Sequence, residues 1–328
     1  MRNIAKQERG VALLTVLILV AIVGAIAASL LERTKLSTRS TINLTALSQA
    51  RTYGFAAEAI AKSRIAQLVG VNAAKTTLQG DWLNRERPFP IDGGVASIRL
   101  GDGGNCFNMN SFVTGNAEQG LVANPIAMAQ FDALLVLLNV PANQTRPLTA
   151  ALVDWIDSDQ QPMPGGAEDA AYLSGDRQGR PANQLMSDAD EMVGVLGMDV
   201  ELFAKLKPWV CTLPMAGASS INVNTISPVQ APLIAMMIPG QLSVQKAKSM
   251  IEVRPAGGFD TGQAFWAAAA NEGLTPPASV VEQTQVKTRF FTLRTKIGLA
   301  GAEHQQWSLI DVDKPPAKVV ARKYGGEE

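Results

Sequence analysis

Apolar and polar positions follow different rhythms in different parts of this chain, and each rhythm predicts a different element. From Val11 to Leu31 there is no alternation at all: 21 residues run without a charge. At ~1.5 Å per residue that is enough helix to cross a hydrocarbon layer of ~30 Å. Beyond it Leu44, Leu47, Ala50, Gly54, Ala57, Ala61, Ile65 and Leu68 recur every three or four residues, and no proline occurs before Pro88. One helix is therefore predicted from Val11 to about Val69, half of it in lipid and half laying a small-residue stripe on its own domain.

After Gly93-Gly94 the stretch "VASIRLGDGGNCFNMNS" alternates and turns like a pair of strands, whereas Ala117 to about Gln283 reads as helices broken by proline and glycine. Strands then resume. "RFFTLRTKIGL" puts Phe291, Leu293, Ile297 and Leu299 on one face, and "QQWSLIDV" and "AKVVARKY" follow it. The pattern predicts an α+β fold: a C-terminal antiparallel meander packed on the long helix, its head split into residues 32–113 and 284–328 by a helical insertion at 114–283.

Charge adds an orientation and removes one class of function. Arg2, Lys6 and Arg9 precede the apolar run, so the short N-terminal tail stays cytoplasmic and the rest is exported. A removable signal is the competing reading, with Ala25-Ile26-Ala27 as its small-x-small site. Among 328 residues, 29 are basic and 29 acidic, which leaves no global field to hold nucleic acid. The only cysteines, Cys106 and Cys211, fall on the exported side, where a disulfide is the first reading and two buried free thiols the second. Such a bridge closes a loop of about 100 residues, worth up to about 4.7 kcal/mol by chain entropy, and staples head to insertion. The single histidine, His304, reads as an exposed strand residue.

The densest chemistry is "LVDWIDSDQQPMPGGAEDAAYLSGD". It holds Asp154, Asp157, Asp159, Glu168, Asp169 and Asp176 and no lysine or arginine. Paired carboxylates around a Pro/Gly loop are hard oxygen donors on a bent backbone, which suits Ca²⁺ with its 6–8 oxygens, although the spacing is not that of an EF-hand. A solvated acidic loop is the alternative. A second motif, "INVNTISPVQAPLIAMMIPGQLSVQKAKSMIEVRPAGGF", resembles a helix-hairpin-helix unit turning at Pro239-Gly240, with Asn222-x-Asn224-Thr225 predicted to cap its first helix. Lys246, Lys248 and Arg254 give modest support for phosphate contacts, but an exported, electroneutral chain has little opportunity to meet DNA, so a structural or protein-contact role is favoured. No Gly-x-Ser-x-Gly, metal-binding histidine pair or phosphate-cradling glycine loop accompanies these motifs.

Together, "RGVALLTVLILVA", "CFNMNS", "LVDWIDSDQQPMPGGAEDAAYLS", "NQLMSDADEM", "LPMAGASSINVNTISP" and "RPAGGFDT" resemble the K-type minor pseudopilins of the type II secretion system (GspK), members of the type IV prepilin family. The resemblance spans nearly the whole chain. It implies a prepilin peptidase cut between Gly10 and Val11, residues 1–10 as leader, 11–31 as transmembrane segment, and Val11 as an N-methylated first residue. It further implies a single-pass protein of the Gram-negative inner membrane with a periplasmic C-terminal part. The implied partners are I- and J-type minor pseudopilins, the major pseudopilin, the prepilin peptidase and inner-membrane lipid, with no nucleic acid. A structural Ca²⁺ is implied as well, and its assigned ligands are Asp157, Asp159, Glu168 and Asp169, with Asp154 in reserve. Thr15 stands at the fifth mature position, where most of the prepilin family has glutamate, which fits a subunit without a neighbour above it. The implied role is non-enzymatic: capping the tip of a pseudopilus that supports export. The alternatives are a membrane-anchored calcium-dependent hydrolase and a DNA-binding competence-pilus component.

Overall fold

In the computed structural model, which describes residues 4–116, 118–174, 179–270 and 273–325, one helix dominates the N-terminal part. This helix, α1 (Ile4–Val71), is 68 residues and therefore about 100 Å long. Every large apolar side chain from Val11 to Leu31 is exposed, as a membrane-embedded segment requires. Its threonines do not break it, because their hydroxyls bond back to the preceding turn: Thr15 donates to the Ala12 carbonyl at 2.9 Å, and Thr34, Thr38, Thr41, Thr45 and Thr52 do the same four residues back.

The head is a five-stranded antiparallel sheet. Its strands are β1 (Glu86–Ile91) and β2 (Gly94–Asp102), joined by a turn at Asp92-Gly93, and three strands at the C-terminus. Between them the chain leaves the sheet after Asp102 and rejoins it at Phe290. That excursion contains β3 (Phe107–Asn108), the hairpin β4 (Val113–Asn116) and β5 (Gly120–Ala123), and then α2 (Pro125–Leu137), α3 (Ala142–Asp154), α4 (Asp169–Leu173) and α5 (Val200–Leu206). It continues with β6 (Val210–Cys211), β7 (Ile221–Asn222), α6 (Ala231–Ala235), α7 (Val244–Glu252), α8 (Gly262–Ala270), α9 (Ala278–Gln283) and β8 (Thr284–Gln285). The meander β9 (Phe290–Leu299), β10 (Ala302–Asp311) and β11 (Lys318–Tyr324) closes the sheet in the order β1-β2-β9-β10-β11.

The face that β9 turns to α1 is the one its alternation predicts: Phe291, Leu293, Ile297 and Leu299 are all buried. Opposite them α1 buries Ala46, Ala50, Gly54, Ala57, Ala61 and Ile65. The expected stripe is shorter at its start, since Leu44 and Leu47 are exposed: Leu44 precedes the first buried residue, Ala46, and Leu47, between buried Ala46 and Ala50, faces away from the sheet. Helix and sheet approach closely at Gly54, where an added Cβ would lie 2.9 Å from Gln306 Oε1 and 3.4 Å from His304 Nε2. His304 is thus buried on the α1 side of β10, not exposed as the sequence reading had it, and burial lowers its pKa.

Sequence periodicity misplaced three other features. The helical reading from Ala117 fails because Gly115 and Gly120, both with positive φ, build the β4–β5 hairpin, and α2 starts only at Pro125 behind its cap Asn124. Ala117 itself lies outside the described residues. Strand β1 went unread because two prolines interrupt its pattern. Asn222 and Asn224 do not cap a helix; they are buried cross-links. Asn222 Nδ2 donates to the Thr288 hydroxyl (2.9 Å) and the Thr76 carbonyl (3.3 Å), while Asn224 exchanges hydrogen bonds with the Phe259 backbone. The cap position before Pro228 belongs to Ser227, which forms a capping box with Gln230.

The excursion has its own core, centred on Phe107, Phe112 and Phe131, whose ring centroids are 4.9–5.3 Å apart. Cys106 and Cys211 form a disulfide at the ends of the parallel β3–β6 pair, with Cα atoms 5.8 Å apart, and Cys211 packs beside Phe290 and Leu309 of the sheet.

One charge is buried under α1. Glu58 accepts from Arg322 Nε and NH2 (both 2.8 Å), Gln306 Nε2 (3.1 Å) and Ser308 Oγ (3.2 Å), and the Arg322 hydrogen bond is the main cause that holds its pKa below the usual carboxylate value. A carboxylate with a depressed folded pKa stabilises the protein above its unfolded pKa and loses that contribution as pH falls through the folded one. Glu58→Gln is therefore expected to cost about 1–3 kcal/mol at pH 7, in the range for an orphaned charged partner that water still reaches. The deficit should shrink below about pH 4.5 in denaturant titrations of the full chain in detergent. A pH-independent deficit would contradict the assignment.

Candidate metal centre

Helix α3 ends at Asp154, and the chain then makes a proline- and glycine-rich loop before α4 begins at Asp169. Asp154 is fully buried and organises this loop: its carboxylate accepts from the Met163 N–H (3.1 and 3.2 Å) and from the Ala167 N–H. Gly166 is obligatory beside it, since a Cβ there would lie 2.0 Å from Asp154 Oδ2. Ser158 ties the loop to β5 through the Leu121 N–H (2.7 Å) and carbonyl (3.2 Å). Neither Gly166 nor Ser158 was singled out from the sequence; the Gly165-Gly166 doublet was the available signal for the first.

This scaffold gathers Asp157, Asp159 and Glu168, with one carboxylate oxygen from each lying within 4.8 Å of the others. Oxygens held at about 2.4 Å from one ion can be at most about 4.8 Å apart, so the three can share a centre. Two of the three are buried without partners: Asp157 Oδ1 and both oxygens of Glu168 accept no hydrogen bond from the protein. Burial, with the neighbouring carboxylates adding to it, pushes both the Asp157 and the Glu168 pKa up to about 7. Orphaned, mutually repelling oxygens of this kind fit a hard divalent cation. Asp159 also accepts from the Gln161 N–H at 2.8 Å. Asp169 does not join the cluster; it sits in the first turn of α4 with its carboxylate 3.4 Å from Arg180. Asp176 lies outside the described residues.

The helix-hairpin-helix resemblance is visible as α6 and α7 around Gly240, which has φ +72°. Its cations are engaged within the protein. Arg254 donates to the Val223 (2.9 Å) and Ile226 (2.8 Å) carbonyls, and Lys248 lies 3.8 Å from Glu252.

Comparison with known proteins places these features in one context. Two family models, both described as type II secretion system protein K, match residues 105–215 and 221–288. Curated proteins of that name include one from Pectobacterium carotovorum subsp. carotovorum, 33% identical over 98% of this chain and 97% of its own length. Another, from Klebsiella pneumoniae, is 30% identical over 97% of each. Among solved structures, a chain of the GspK-GspI-GspJ complex from enterotoxigenic Escherichia coli matches with a TM-score of 0.76 at 29% identity, covering 88% of this chain and 99% of that one.

The raised carboxyl pKa values carry a sign. Asp157 and Glu168 bind protons more tightly folded than unfolded, so in chelator-treated protein stability should fall as pH rises from about 4 to about 7 and level off above it. Asp157→Asn should flatten that slope in thermal unfolding curves recorded across the range; a slope unchanged by the substitution would remove Asp157 from the cluster.

Proposed function

The chain belongs to the type II secretion system protein K family and is a minor pseudopilin of that system. On that premise we propose that it assembles with I- and J-type minor pseudopilins and caps the tip of a periplasmic pseudopilus that supports protein export. In this reading prepilin peptidase cuts before Val11, and residues 11–31 hold the mature chain in the inner membrane until assembly. The single observation that carries it is the likeness over 88% of the chain to the K subunit's complex with I and J. Two features support the capping part. The excursion between β2 and β9 adds bulk to the head, which is expected to crowd a subunit above it, and Thr15, whose hydroxyl bonds to its own helix, puts no carboxylate in lipid at the position where a neighbour's amine would be needed.

The test is reconstitution. Full-length chain co-expressed with I- and J-type subunits and prepilin peptidase should purify from membranes as a low-copy complex whose K subunit begins at N-methylated Val11, and its overproduction should shorten pseudopili. Labelled protein spaced regularly along the filament shaft would overturn the capping role.

The same reading assigns Ca²⁺ to the acidic cluster, held by Asp157, Asp159 and Glu168. Asp169 lies outside this set, with its carboxylate on Arg180. The ion would supply the charge compensation those oxygens lack and fix the loop between α3 and α4. Calcium is thus expected to raise the melting temperature of the chelated protein by several degrees, in the range that 1–3 kcal/mol produces. Asp157→Asn combined with Glu168→Gln should abolish the shift; a full shift in the double variant would place the ion elsewhere.

A further inference from the structure

A cavity of about 280 Å³ opens where the excursion meets the sheet, outside the acidic cluster. One wall is apolar: Leu213 and Phe290 are buried, and Met215 and Val312 half-buried. The opposite wall is polar but already satisfied. Asp102 accepts from the Gly104 N–H at 2.9 Å, from the Thr225 hydroxyl at 2.6 Å and from the Thr288 hydroxyl. Asn108 Nδ2 donates to the Met215 carbonyl at 3.0 Å, and the Asn222 amide is spent on Thr76 and Thr288. These groups have little left to offer a polar ligand.

The rim is different. Arg289 is held by Asp311 at 2.9 Å, with Asp313 at 3.8 Å. Lys287, exposed at the rim, forms no ion pair among the described residues. The Ser219 hydroxyl accepts from the Asn108 N–H, which leaves its own proton to donate. The uncommitted chemistry therefore includes the Lys287 cation and the Ser219 hydroxyl proton beside a short apolar wall, with the Asp313 carboxylate 3.8 Å from Arg289 on the same rim. Pockets that enclose drug-sized ligands run to roughly 300–1,000 Å³, so this one suits a single residue better than a folded element.

We propose that this cavity receives the C-terminal residue of a partner polypeptide, with an apolar side chain against Leu213, Met215, Phe290 and Val312 and the free α-carboxylate on Lys287. Capture of a chain end by a cation and nearby donors is a recurrent mode of peptide recognition, and charge complementarity at Lys287 selects a carboxylate over an amide. The inference does not depend on the capping role or on calcium.

The probe is a fluorescein-labelled peptide, Ser-Gly-Ser-Gly-Ala-Leu, with a free C-terminus, compared with its C-terminal amide by fluorescence polarisation on the full chain in detergent. The carboxylate form should bind at least tenfold tighter. Lys287→Gln should erase that preference and Lys287→Arg retain it; both change an exposed side chain and leave the fold in place. Ala218→Trp, at the loop that borders the cavity, should weaken both peptides. Equal affinity for acid and amide, a preference that survives Lys287→Gln, or no binding up to millimolar peptide would each overturn the proposal.

Discussion

The close approach of α1 to β10 at Gly54 sets the geometry of everything built on the sheet. A helix can lie this near a sheet only if the residues between them are small, and Ala46, Ala50, Gly54, Ala57 and Ala61 meet that condition over four turns. Two apolar clusters flank the contact: Ala50 with Ala96, Ile297 and Leu299 towards the membrane, and Ala61 and Ile65 with Trp82, Phe291, Leu293 and Ile310 away from it. Glu58 sits between them, and its four-way bonding to Gln306, Ser308 and Arg322 fixes rotation and sliding where alanine packing alone would be permissive. The helix and the sheet are therefore held as one body.

The second constraint is the joint between the sheet and the 187-residue-scale excursion it supports, whose apolar core is separate from the sheet's own. That joint combines a small apolar cluster, Leu213 against Phe290 and Leu309, with a network of amides and hydroxyls. Thr76 from the linker after α1, Asp102 and Asn105 from the end of β2, Asn222 and Thr225 from the excursion, and Thr288 from the returning chain form one connected set of hydrogen bonds. The disulfide adds a covalent tie beside it. Directional bonds of this kind specify an angle between two bodies in a way that apolar contact does not.

Much of this was readable in the chain because its causes are local. The uncharged run from Val11, the alternation in β9, the turn at Pro239-Gly240 and the acids around Asp157 each announce themselves within a dozen residues. What escaped was set at a distance. Glu58 carries no local signal of burial, since its partner Arg322 comes from across the fold, and His304 reads as exposed until Gly54 covers it. Asn222 and Asn224 have the composition of caps, but their partners Thr76, Phe259 and Thr288 lie 35 to 146 positions away in sequence. At the acidic cluster, residue types pointed to a cation but not to the division of labour. Asp154 turns inward to the loop backbone and Asp169 outward to Arg180, a distinction that only the direction of each side chain decides.

The prolines of β1 have a bearing on how such a subunit can multiply. Pro88 and Pro90 have the same parity on an outer strand, so the side of β1 that faces away from β2 lacks two of the amide protons another strand would need. On the opposite margin, β11, Arg322 turns under the sheet to Glu58 and Lys323 is paired with Asp188 at 2.6 Å. A margin short of donors is a poor template for edge-to-edge stacking. Association through that margin is disfavoured, which leaves the exposed flanks of α1 as the surface open to other subunits.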